Sequence, residues 1–517
     1  MFNINKFNHI LLIIIMSNQN KFIDLFCGIG GFHQAFIKMN NDNANNDNHV
    51  TFECVMASDS NRACKDTYLK NYSTNHHNPI DFKDDVKTLA KEISDLGSQF
   101  DKTKGPIKEF DIICGGFPCQ PFSNSGKKKA FEDTRGTLFH DIMTIAKAYQ
   151  PRFMFLENVK HIKKVDSGKV FTTILKCLEE EGYVVYVNEL SPHQLGIPQQ
   201  RERIIFSCIR KDIWLQQDGN TENKMNEVCG TSFNIILPTI TSCDLTNVIN
   251  NIGANTDDHG YLKKNYIIDS ELRQVLDAWD TMIAKMDTGE KLSPTILIKD
   301  LDIEYFETEI KDGNIVVKME IVNVPVKNKD GTLVKNEQGE PIEKKVNYPI
   351  LKTQYREKYN SFPEWRKDYI LKNKPLYYKY KGHWDKWLSM YRNNDIDVKD
   401  DDIRNILNRK EIYSKLEWQT GPKKENDSIW NYFINMRQSG IRVKKTHYFP
   451  TLVAIVQTPI YGKEKRRITP RECARLQSFP DSFKCHSKDH TAYKQFGNAV
   501  NVEVVYTVMK QIFNIYH

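Results

Sequence analysis

Cys119 lies in the stretch of the chain that is best suited to covalent chemistry. It follows the apolar run 110–113 and two glycines, and Pro118 and Pro121 restrict the backbone on either side of Cys119 and Gln120. A cysteine in such a turn is expected to be exposed and able to attack a substrate as a nucleophile. Because a lone Pro-Cys pair more often holds an ordinary buried thiol, this interpretation depends on the surrounding residues.

A carboxylate follows a second apolar run. Residues 153–156 have the pattern of a buried strand, and Glu157 and Asn158 come directly after them. In open α/β sheets, catalytic groups collect beyond the carboxyl ends of the strands, so Glu157 and Cys119 are expected to face one pocket as proton donor and nucleophile. Taken alone, Glu157 and Asn158 would more often be a solvated strand end or a helix cap.

A glycine turn near the N-terminus predicts a site for a nucleotide-like cofactor. Residues 21–25 have the pattern of a strand, Gly28, Gly30 and Gly31 allow positive φ, and the helix expected after them would offer free amides to an anion. No Gly-Lys-Ser/Thr follows, and the spacing differs from Gly-x-Gly-x-x-Gly, which favours a methyl-donor nucleotide. Asp59 ends the next strand-like run, where such folds bind a ribose, although a helix cap is the alternative.

Six ordered motifs resemble those of the cytosine-5 DNA methyltransferase family, and they span both ends of the chain. The resemblance implies a Rossmann-like class I methyltransferase sheet, an α/β fold with helices on both faces, plus a separate large target-recognition domain of mixed α and β structure. It also implies a DNA (cytosine-5-)-methyltransferase of the bacterial or viral stand-alone type, which uses S-adenosylmethionine and flips the target base out of the duplex. The motifs are residues 24–31, 117–120, 157–159, 199–203, 467–480 and 495–500.

The resemblance assigns catalytic roles to four residues. Cys119 would attack carbon 6 of the cytosine, which makes carbon 5 nucleophilic enough to accept the methyl group. Glu157 would bind ring nitrogen 3 while protonated, and its pKa should be raised when the pocket closes. Arg203 would contact the base, and Arg201 would contact the backbone near it.

The resemblance also implies residues that bind the cofactor and the substrate. Phe26 would pack on the adenine, Asp59 would hold the ribose, and Asp85 would meet the exocyclic amine, with Asp84 as the alternative to Asp85. Ser60 departs from the family, which often has an aromatic residue there. The predicted cofactor-binding set is Asp24, Phe26, Gly28, Gly30, Asp59, Asp85, Leu138 and Asn498, and the predicted substrate-binding set is Pro118, Gln120, Ser123, Asn158, Gln199 and Thr451.

The motifs divide the chain into four predicted parts. Residues 1–19 form an extension that is expected to be disordered, and residues 20–210 form a catalytic domain with the cofactor loop and the nucleophile. Residues 211–462 form the target-recognition region, and residues 463–517 form the C-terminal part of the catalytic domain. The last motif, 495–500, is expected to start a helix beside the cofactor loop.

Other stretches suit contact with DNA. The polar and basic segment 123–138 predicts a lid that closes on the flipped base, although a solvated charge run is an equal alternative for 127–129. Aromatic and basic clusters at 377–381 and 437–445 suit phosphate contact and base-edge reading. Thr451 stands where relatives place a threonine near the target nucleotide, with a surface β-hairpin as the alternative.

Composition is compatible with this interpretation. The chain has 73 Lys plus Arg against 66 Asp plus Glu, a formal net charge of +7, which suits a nucleic-acid partner. The 11 cysteines show no paired Cys-x-x-Cys spacing, which predicts no metal site and a reducing compartment. The apolar run 10–15 is too short to span a bilayer, and no small-residue cleavage site follows it. We therefore expect a cytoplasmic protein that makes no membrane contact.

The expected partners are double-stranded DNA and a cognate restriction endonuclease that acts separately, and the expected state is a monomer. Two alternatives are open. A tRNA cytosine-5 methyltransferase is disfavoured because the chain lacks the Cys-Phe-Thr tripeptide of that branch and has a larger recognition region. An inactive, DNA-binding member of the family is disfavoured because the catalytic positions are intact.

Overall fold

The computed structural model divides the chain into two compact units. It describes residues 19–45, 50–73, 80–118, 137–217, 219–240, 243, 246–249, 266–292, 294–328, 332–392, 411–446, 449, 451–452 and 458–517. Unit 1 comprises Met1–Tyr261, His447–Val456 and Ile468–His517, and unit 2 comprises Leu262–Thr446 and Gln457–Arg467. Unit 2 is thus shorter at its N-terminal side than the predicted region 211–462, and its assignment to target recognition stays a prediction.

Seven strands form the sheet of unit 1, in the order β3-β2-β1-β4-β5-β7-β6. All neighbours are parallel except β7, which runs antiparallel to β5 and β6. The chain order reverses beside β1, so the carboxyl ends of β1 and β4 border a switch point of the kind at which α/β folds bind ligands. The strands are β1 (Gln19–Leu25), β2 (Thr51–Ser58), β3 (Asp81–Lys83), β4 (Ile112–Gly116), β5 (Phe153–Val159), β6 (Tyr183–Leu190) and β7 (Arg203–Arg210).

Helices connect these strands, and further helices lie in unit 2. No helix within the described residues is both long enough and apolar enough to cross a membrane. Those described are α1 (Gly31–Asn45), α2 (Arg62–Tyr72), α3 (Val86–Leu96), α4 (Leu138–Tyr149), α5 (Lys169–Glu180), α6 (Lys211–Leu215), α7 (Glu222–Val228), α8 (Thr246–Ile249), α9 (Ser270–Ala284), α10 (Ile298–Leu301), α11 (Arg356–Asn360), α12 (Glu364–Lys379), α13 (Lys381–Arg392), α14 (Pro470–Leu476), α15 (Asp489–Asn498) and α16 (Val502–Tyr516).

The sheet of unit 1 is covered on both faces. Met154 and Leu156 of β5 belong to one core cluster with residues of α3, α4 and α5. Phe153 and Phe155 contact Phe513 of α16, with ring centroids 5.1 and 5.4 Å apart. Because successive strand residues point to opposite faces, these helices lie on opposite sides of the sheet. The predicted Rossmann-like α/β fold is confirmed.

Unit 2 contains a six-stranded sheet in the order β17-β16-β14-β15-β13-β8 and two separate hairpins, β9–β10 and β11–β12. Trp279 of α9 and Trp384 of α13 are fully buried in its core. The mixed α and β structure agrees with the predicted architecture. The strands are β8 (Ile296–Leu297), β9 (Thr308–Lys311), β10 (Asn314–Val317), β11 (Met319–Pro325), β12 (Glu343–Pro349), β13 (Lys415–Gln419), β14 (Phe433–Arg437), β15 (Gly440–Lys444), β16 (Ile460–Tyr461) and β17 (Arg466–Arg467).

The motif at 495–500 does not start a helix, which corrects the sequence-based expectation. Its first residues form the last turn of α15, and Ala499 is extended, with ψ at 144°. The side chain of Asn501 then accepts a hydrogen bond from the Val504 amide at 3.1 Å, so the next helix begins at Val502. The break arises because Asn501 caps the following helix.

The cluster at 377–381 does not present its aromatic rings for base reading, which is a second correction. Tyr377 is 1% exposed, and Tyr380 is also buried. The hydroxyl of Tyr380 and the ammonium of Lys379 both bind Glu290, at 2.8 and 2.6 Å. These contacts make the cluster part of the core and of the ion pairs of unit 2.

Candidate active site

The glycine turn after β1 is hydrogen-bonded to the acid that follows β2. The Gly28 amide donates to Oδ2 of Asp59 at 2.9 Å, and the Asn61 amide donates to Oδ1 at 2.8 Å. Phe26 and Gly28 both have positive φ, at 52° and 54°. Each carboxylate oxygen of Asp59 keeps a further lone pair, so the turn and the acid together form a polar ligand site.

Close packing explains two of the glycines. The hydroxyl of Tyr72 donates to the carbonyls of Ile29 and Gly30, at 3.2 and 3.0 Å, and a Cβ on Gly30 would lie 2.3 Å from its ring. A Cβ on Gly31 would lie 2.6 Å from the carbonyl oxygen of Val500. The last motif therefore lies directly against the cofactor loop, although it does not begin a helix there.

The other predicted cofactor residues differ in how accessible they are. Asp24 is only 1% exposed, neither carboxylate oxygen makes a hydrogen bond of ordinary geometry within the described residues, and burial raises its pKa well above the usual range. Asp24 thus lies in the buried part of β1, just before the glycine turn. Asp85 follows β3 and caps α3 by accepting from the Lys87 amide at 3.0 Å. Leu138 begins α4, and Asn498 is exposed at the end of α15.

Glu157 is a buried carboxylate at the carboxyl end of β5. It pairs in register with Gly116 of β4, and a Cβ at Gly116 would lie 3.1 Å from its Oε2. The Nε of Arg203 lies 2.8 Å from its Oε1. Burial raises the pKa of Glu157, while the charges of Arg203 and Arg201 oppose that shift. The carboxyl therefore holds a proton more readily than an exposed glutamate.

Asn158 orients the chain that leads to the predicted nucleophile. Its Nδ2 donates to the carbonyl of Phe117 at 2.9 Å, and its Oδ1 accepts from the Val159 amide at 2.8 Å. Pro118, the next residue, is exposed. Asn158 therefore fixes the backbone just before Cys119. Three predicted site residues, Cys119, Gln120 and Ser123, lie outside the described residues. Most of the predicted lid also lies outside them.

Arg201 is buried, at 3% exposure, and serves to connect chain segments. Its Nη1 donates to the carbonyl of Leu452 at 2.9 Å, and its Nη2 donates to the carbonyls of Gly497 and Ala499 at 3.0 and 2.9 Å. Burial is the main cause that lowers its pKa to about 9, and the charge of Arg203 adds to it. These contacts favour a positioning role, where the resemblance implies contact with the DNA backbone.

Gln199 and Thr451 lie on two chain segments that contact each other. Gln199 is fully buried and forms a parallel bridge with Phe449, and neither polar atom of its amide has a hydrogen-bond partner within the described residues. The hydroxyl of Thr451 donates to the carbonyl of Gln200 at 2.5 Å. The two predicted substrate residues are thus on adjacent segments.

Val500 lies between the predicted cofactor loop and Glu157, the predicted catalytic acid. Its carbonyl packs on Gly31, and its Cγ2 would lie 3.4 Å from a Cβ on Gly116, beside Glu157. The sequence analysis placed Val500 within the last motif but gave it no role in the site, and it did not include Tyr72. The glycines at 30 and 31 were the available signal, because a glycine often marks a close approach by another group.

The α/β fold and the buried acid near the glycine turn agree with the predicted class of methyltransferase, and comparison with known families identifies the family. The family model described as C-5 cytosine-specific DNA methylase matches residues 20–514. The chain belongs to this family. It is a DNA (cytosine-5-)-methyltransferase, an enzyme that methylates carbon 5 of cytosine in DNA by a reaction that requires a methyl donor.

Similar proteins include bacterial type II methyltransferases. M.HgiCI of Herpetosiphon aurantiacus is 27% identical over 495 residues, which cover 95% of this chain and 97% of the relative. M.BanI of Aneurinibacillus aneurinilyticus is 26% identical over 501 residues, which cover 95% of each chain. M.HhaI of Haemophilus parahaemolyticus is 35% identical over 196 residues, which cover 38% of this chain and 51% of the relative.

Proposed function

We propose that this chain transfers the methyl group of S-adenosylmethionine to cytosine within one short duplex DNA sequence, through a covalent adduct of Cys119 with the flipped-out base. The observation that carries the assignment of roles is the position of Glu157. It is buried beside Arg203, one strand away from the segment that leads to Cys119, and burial raises its pKa.

The residues around the glycine turn fit S-adenosylmethionine. Two backbone amides fix the carboxylate of Asp59, which keeps acceptor lone pairs for the ribose hydroxyls. Half-buried Phe26 offers a ring for the adenine, and Asp85 offers a carboxylate for the exocyclic amine. When bound, the cofactor supplies an electrophilic methyl group. Asp24 is buried just before this turn, and its predicted contact with the cofactor stays a prediction.

The side chains of this site account for the activation of cytosine. The thiolate of Cys119 adds to carbon 6, and protonated Glu157 donates a hydrogen bond to nitrogen 3, which withdraws electrons from the ring. Carbon 5 then accepts the methyl group. A base then removes the proton from carbon 5, and the bond from carbon 6 to the Cys119 sulfur breaks to release the thiolate, which restores the aromatic ring. Arg203 holds Glu157, and Asn158 holds the backbone before Cys119.

The biological setting forms part of the proposal. The relatives are named type II methyltransferases, which supports a role beside a cognate restriction endonuclease that acts separately. We infer that the enzyme is a cytoplasmic monomer. Unit 2 would select the DNA sequence, and the segment 123–138 would close over the flipped base.

Methyl transfer by the purified chain tests this proposal. Labelled S-adenosylmethionine and duplex DNA of mixed sequence would be followed by bisulfite sequencing, with half-buried Cys485→Ser as the control for Cys119→Ser. We expect methylation within one short sequence for the wild type and for the control, and none for Cys119→Ser. Transfer to tRNA alone would favour the RNA-modifying alternative, and transfer to neither nucleic acid would favour an inactive DNA-binding protein.

A further inference from the structure

The sheet of unit 2 has one apolar face. Alternate residues of its three central strands lie in the core beside the buried tryptophans of α9 and α13. Because side chains alternate along a strand, the residues between them point to the opposite face. The core-facing residues are Leu416 and Trp418 of β13, Ile434 and Met436 of β14, and Ile441 and Val443 of β15.

The opposite face is rich in cations. Arg442 of β15 pairs in register with Asn435 of β14 on one side and with Glu417 of β13 on the other. Arg437 ends β14, opposite Gly440, and Lys444 follows Arg442 two residues later on the same face. We call Asn435, Arg437, Arg442 and Lys444 the basic sheet face. Glu417 is the carboxylate that pairs with it.

Two members of this face have buried polar atoms without the hydrogen-bond partners that such atoms normally have. Asn435 is only 2% exposed, and its Oδ1 has no hydrogen-bond partner within the described residues. The Nε of Arg437 is likewise buried and without a hydrogen-bond partner in the described part of the chain. Buried polar groups are normally hydrogen-bonded, so these atoms indicate a missing polar ligand.

Electrostatic repulsion indicates the sign of that ligand. Burial lowers the pKa of Arg437 and of Lys444, and the charge of Arg442 lowers both further. Glu417 offsets only part of this effect. Three recessed cations with one carboxylate repel one another, and an anionic ligand would relieve that repulsion.

Arg442 is held in a geometry that suits a nucleobase. Its Nε donates to Oε2 of Glu417 at 2.7 Å, which fixes the guanidinium at one edge. The two Nη groups make no hydrogen bond within the described part of the chain, and they remain as a planar fork. Such a fork matches the O6 and N7 acceptors of guanine in the major groove. Arg442 would read in this way a guanine that is not the target base in the active site.

We propose that the basic sheet face contacts the DNA substrate, with Arg442 reading a guanine of the recognition sequence, and Arg437 and Lys444 binding phosphates. This inference rests on the proposed function, because it requires duplex DNA as the substrate. Glu417 is a positioning residue that acts through Arg442.

The DNA sequence that each variant methylates is the most direct test of this proposal. Arg442→Ala and Arg442→Lys would be compared with the wild type on a random-sequence duplex library, followed by bisulfite sequencing. We expect both variants to accept other bases at one guanine position and to raise KM for the original sequence about 10- to 100-fold, with little change in kcat. Arg442→Lys keeps the charge and protects against misfolding but removes the fork.

Four further variants separate the roles. Arg437→Ala should weaken binding to every sequence and reduce the slope of log affinity against log salt by about 1. Glu417→Gln should relax the same guanine position as Arg442→Ala but less strongly, and Glu417→Asp should restore it in part. Arg273→Ala, in an exposed ion pair with Asp277 on α9, is the control and should keep the sequence and KM.

The outcomes distinguish this inference from the proposed function. An active wild type together with Arg442 and Arg437 variants that melt normally and keep the wild-type sequence, KM and salt dependence would overturn the inference alone. A wild type that methylates no DNA would instead overturn the proposed function. Relaxation at one guanine in the Arg442 variants, with none in Arg273→Ala, supports the basic sheet face.

Discussion

The two units each contain a recessed pair of a glutamate and an arginine on adjacent strands, and the pairs differ in their surroundings. In unit 1, Arg203 lies 2.8 Å from Glu157, and in unit 2, Arg442 lies 2.7 Å from Glu417. Burial raises the pKa of Glu157, so the first pair centres on a carboxyl that is protonated more readily than an exposed one. The second pair lies among further cations, so it centres on a guanidinium.

Under the proposed function, this difference would separate the unit that performs the chemistry from the unit that recognises DNA. In unit 1 the arginine holds the acid, and in unit 2 the acid holds the arginine. Variants of the unit 1 pair should therefore change the rate of methylation at an unchanged DNA sequence. Variants of the unit 2 pair should change the sequence at a nearly unchanged rate. A result in which either unit changed both properties would break the comparison.

The largest effect is expected for Cys119→Ala. Removing the nucleophile eliminates the covalent route, so kcat should fall about 10⁴-fold or more. Binding of duplex DNA, measured by fluorescence anisotropy, should stay close to that of the wild type, since recognition is proposed to reside in unit 2. Readily measurable turnover by this variant would contradict the assignment of Cys119.

A smaller loss is expected for Glu157→Gln. The amide cannot supply the acidic proton for nitrogen 3, so kcat should fall about 10²- to 10³-fold. Glu189→Gln is a matched control, because Glu189 is a carboxylate on β6 that pairs with Lys160 and Lys163 at the surface. Bisulfite sequencing should give the wild-type sequence for both variants. A changed sequence for Glu157→Gln would mean that unit 1 also reads DNA.

The features of unit 1 that the sequence predicted are those with local signals. The strand before the glycine turn, the acid after β2 and the acid at the end of β5 could all be located, because each apolar run ends in a polar residue. In a parallel sheet those ends share one edge. The order of the motifs along the chain then sufficed for the class of fold.

The features that could not be predicted depend on distant contacts. Arg201 and Arg203 stand two residues apart in one charged segment, yet Arg201 is buried against Leu452 and the carbonyls of Gly497 and Ala499. No local pattern distinguishes the two arginines. The basic sheet face is likewise assembled from strands that are neighbours in space, with β15 between β13 and β14.

Arg203→Ala should shift the pH dependence of the reaction. The charge of Arg203 opposes the rise in the pKa of Glu157 that burial causes, so its removal should raise that pKa further. Protonated Glu157 would then persist to higher pH. The decline of kcat with rising pH that reports deprotonation of Glu157 should move upward in pH, and the methylated sequence should not change.

Arg210→Ala is the control on the same strand, because Arg210 pairs with Asp212 at the far end of β7. We expect its pH profile to match that of the wild type. A profile for Arg203→Ala that moved to lower pH, or that stayed in place, would mean that Arg203 does not control the ionisation of Glu157.

The smallest effect concerns two glycines near helix starts, one in each unit. A Cβ on Gly31 would lie 2.6 Å from the carbonyl oxygen of Val500, whereas a Cβ on Gly382 of α13 would meet open space. Gly31→Ala should lower stability by about 1–3 kcal/mol through overpacking, and Gly382→Ala should raise it by about 0.5–1 kcal/mol. Thermal melts measure both changes.

The binding of S-adenosylmethionine provides a second measurement that distinguishes Gly31→Ala from Gly382→Ala. Val500 packs against the cofactor loop, so Gly31→Ala should also displace the turn and raise KM for the cofactor, while Gly382→Ala should leave that KM unchanged. Equal melting temperatures for the two variants would mean that the last motif does not press on the loop. A loss of cofactor affinity confined to Gly31→Ala would instead show that the final segment of the chain forms one wall of the site in unit 1.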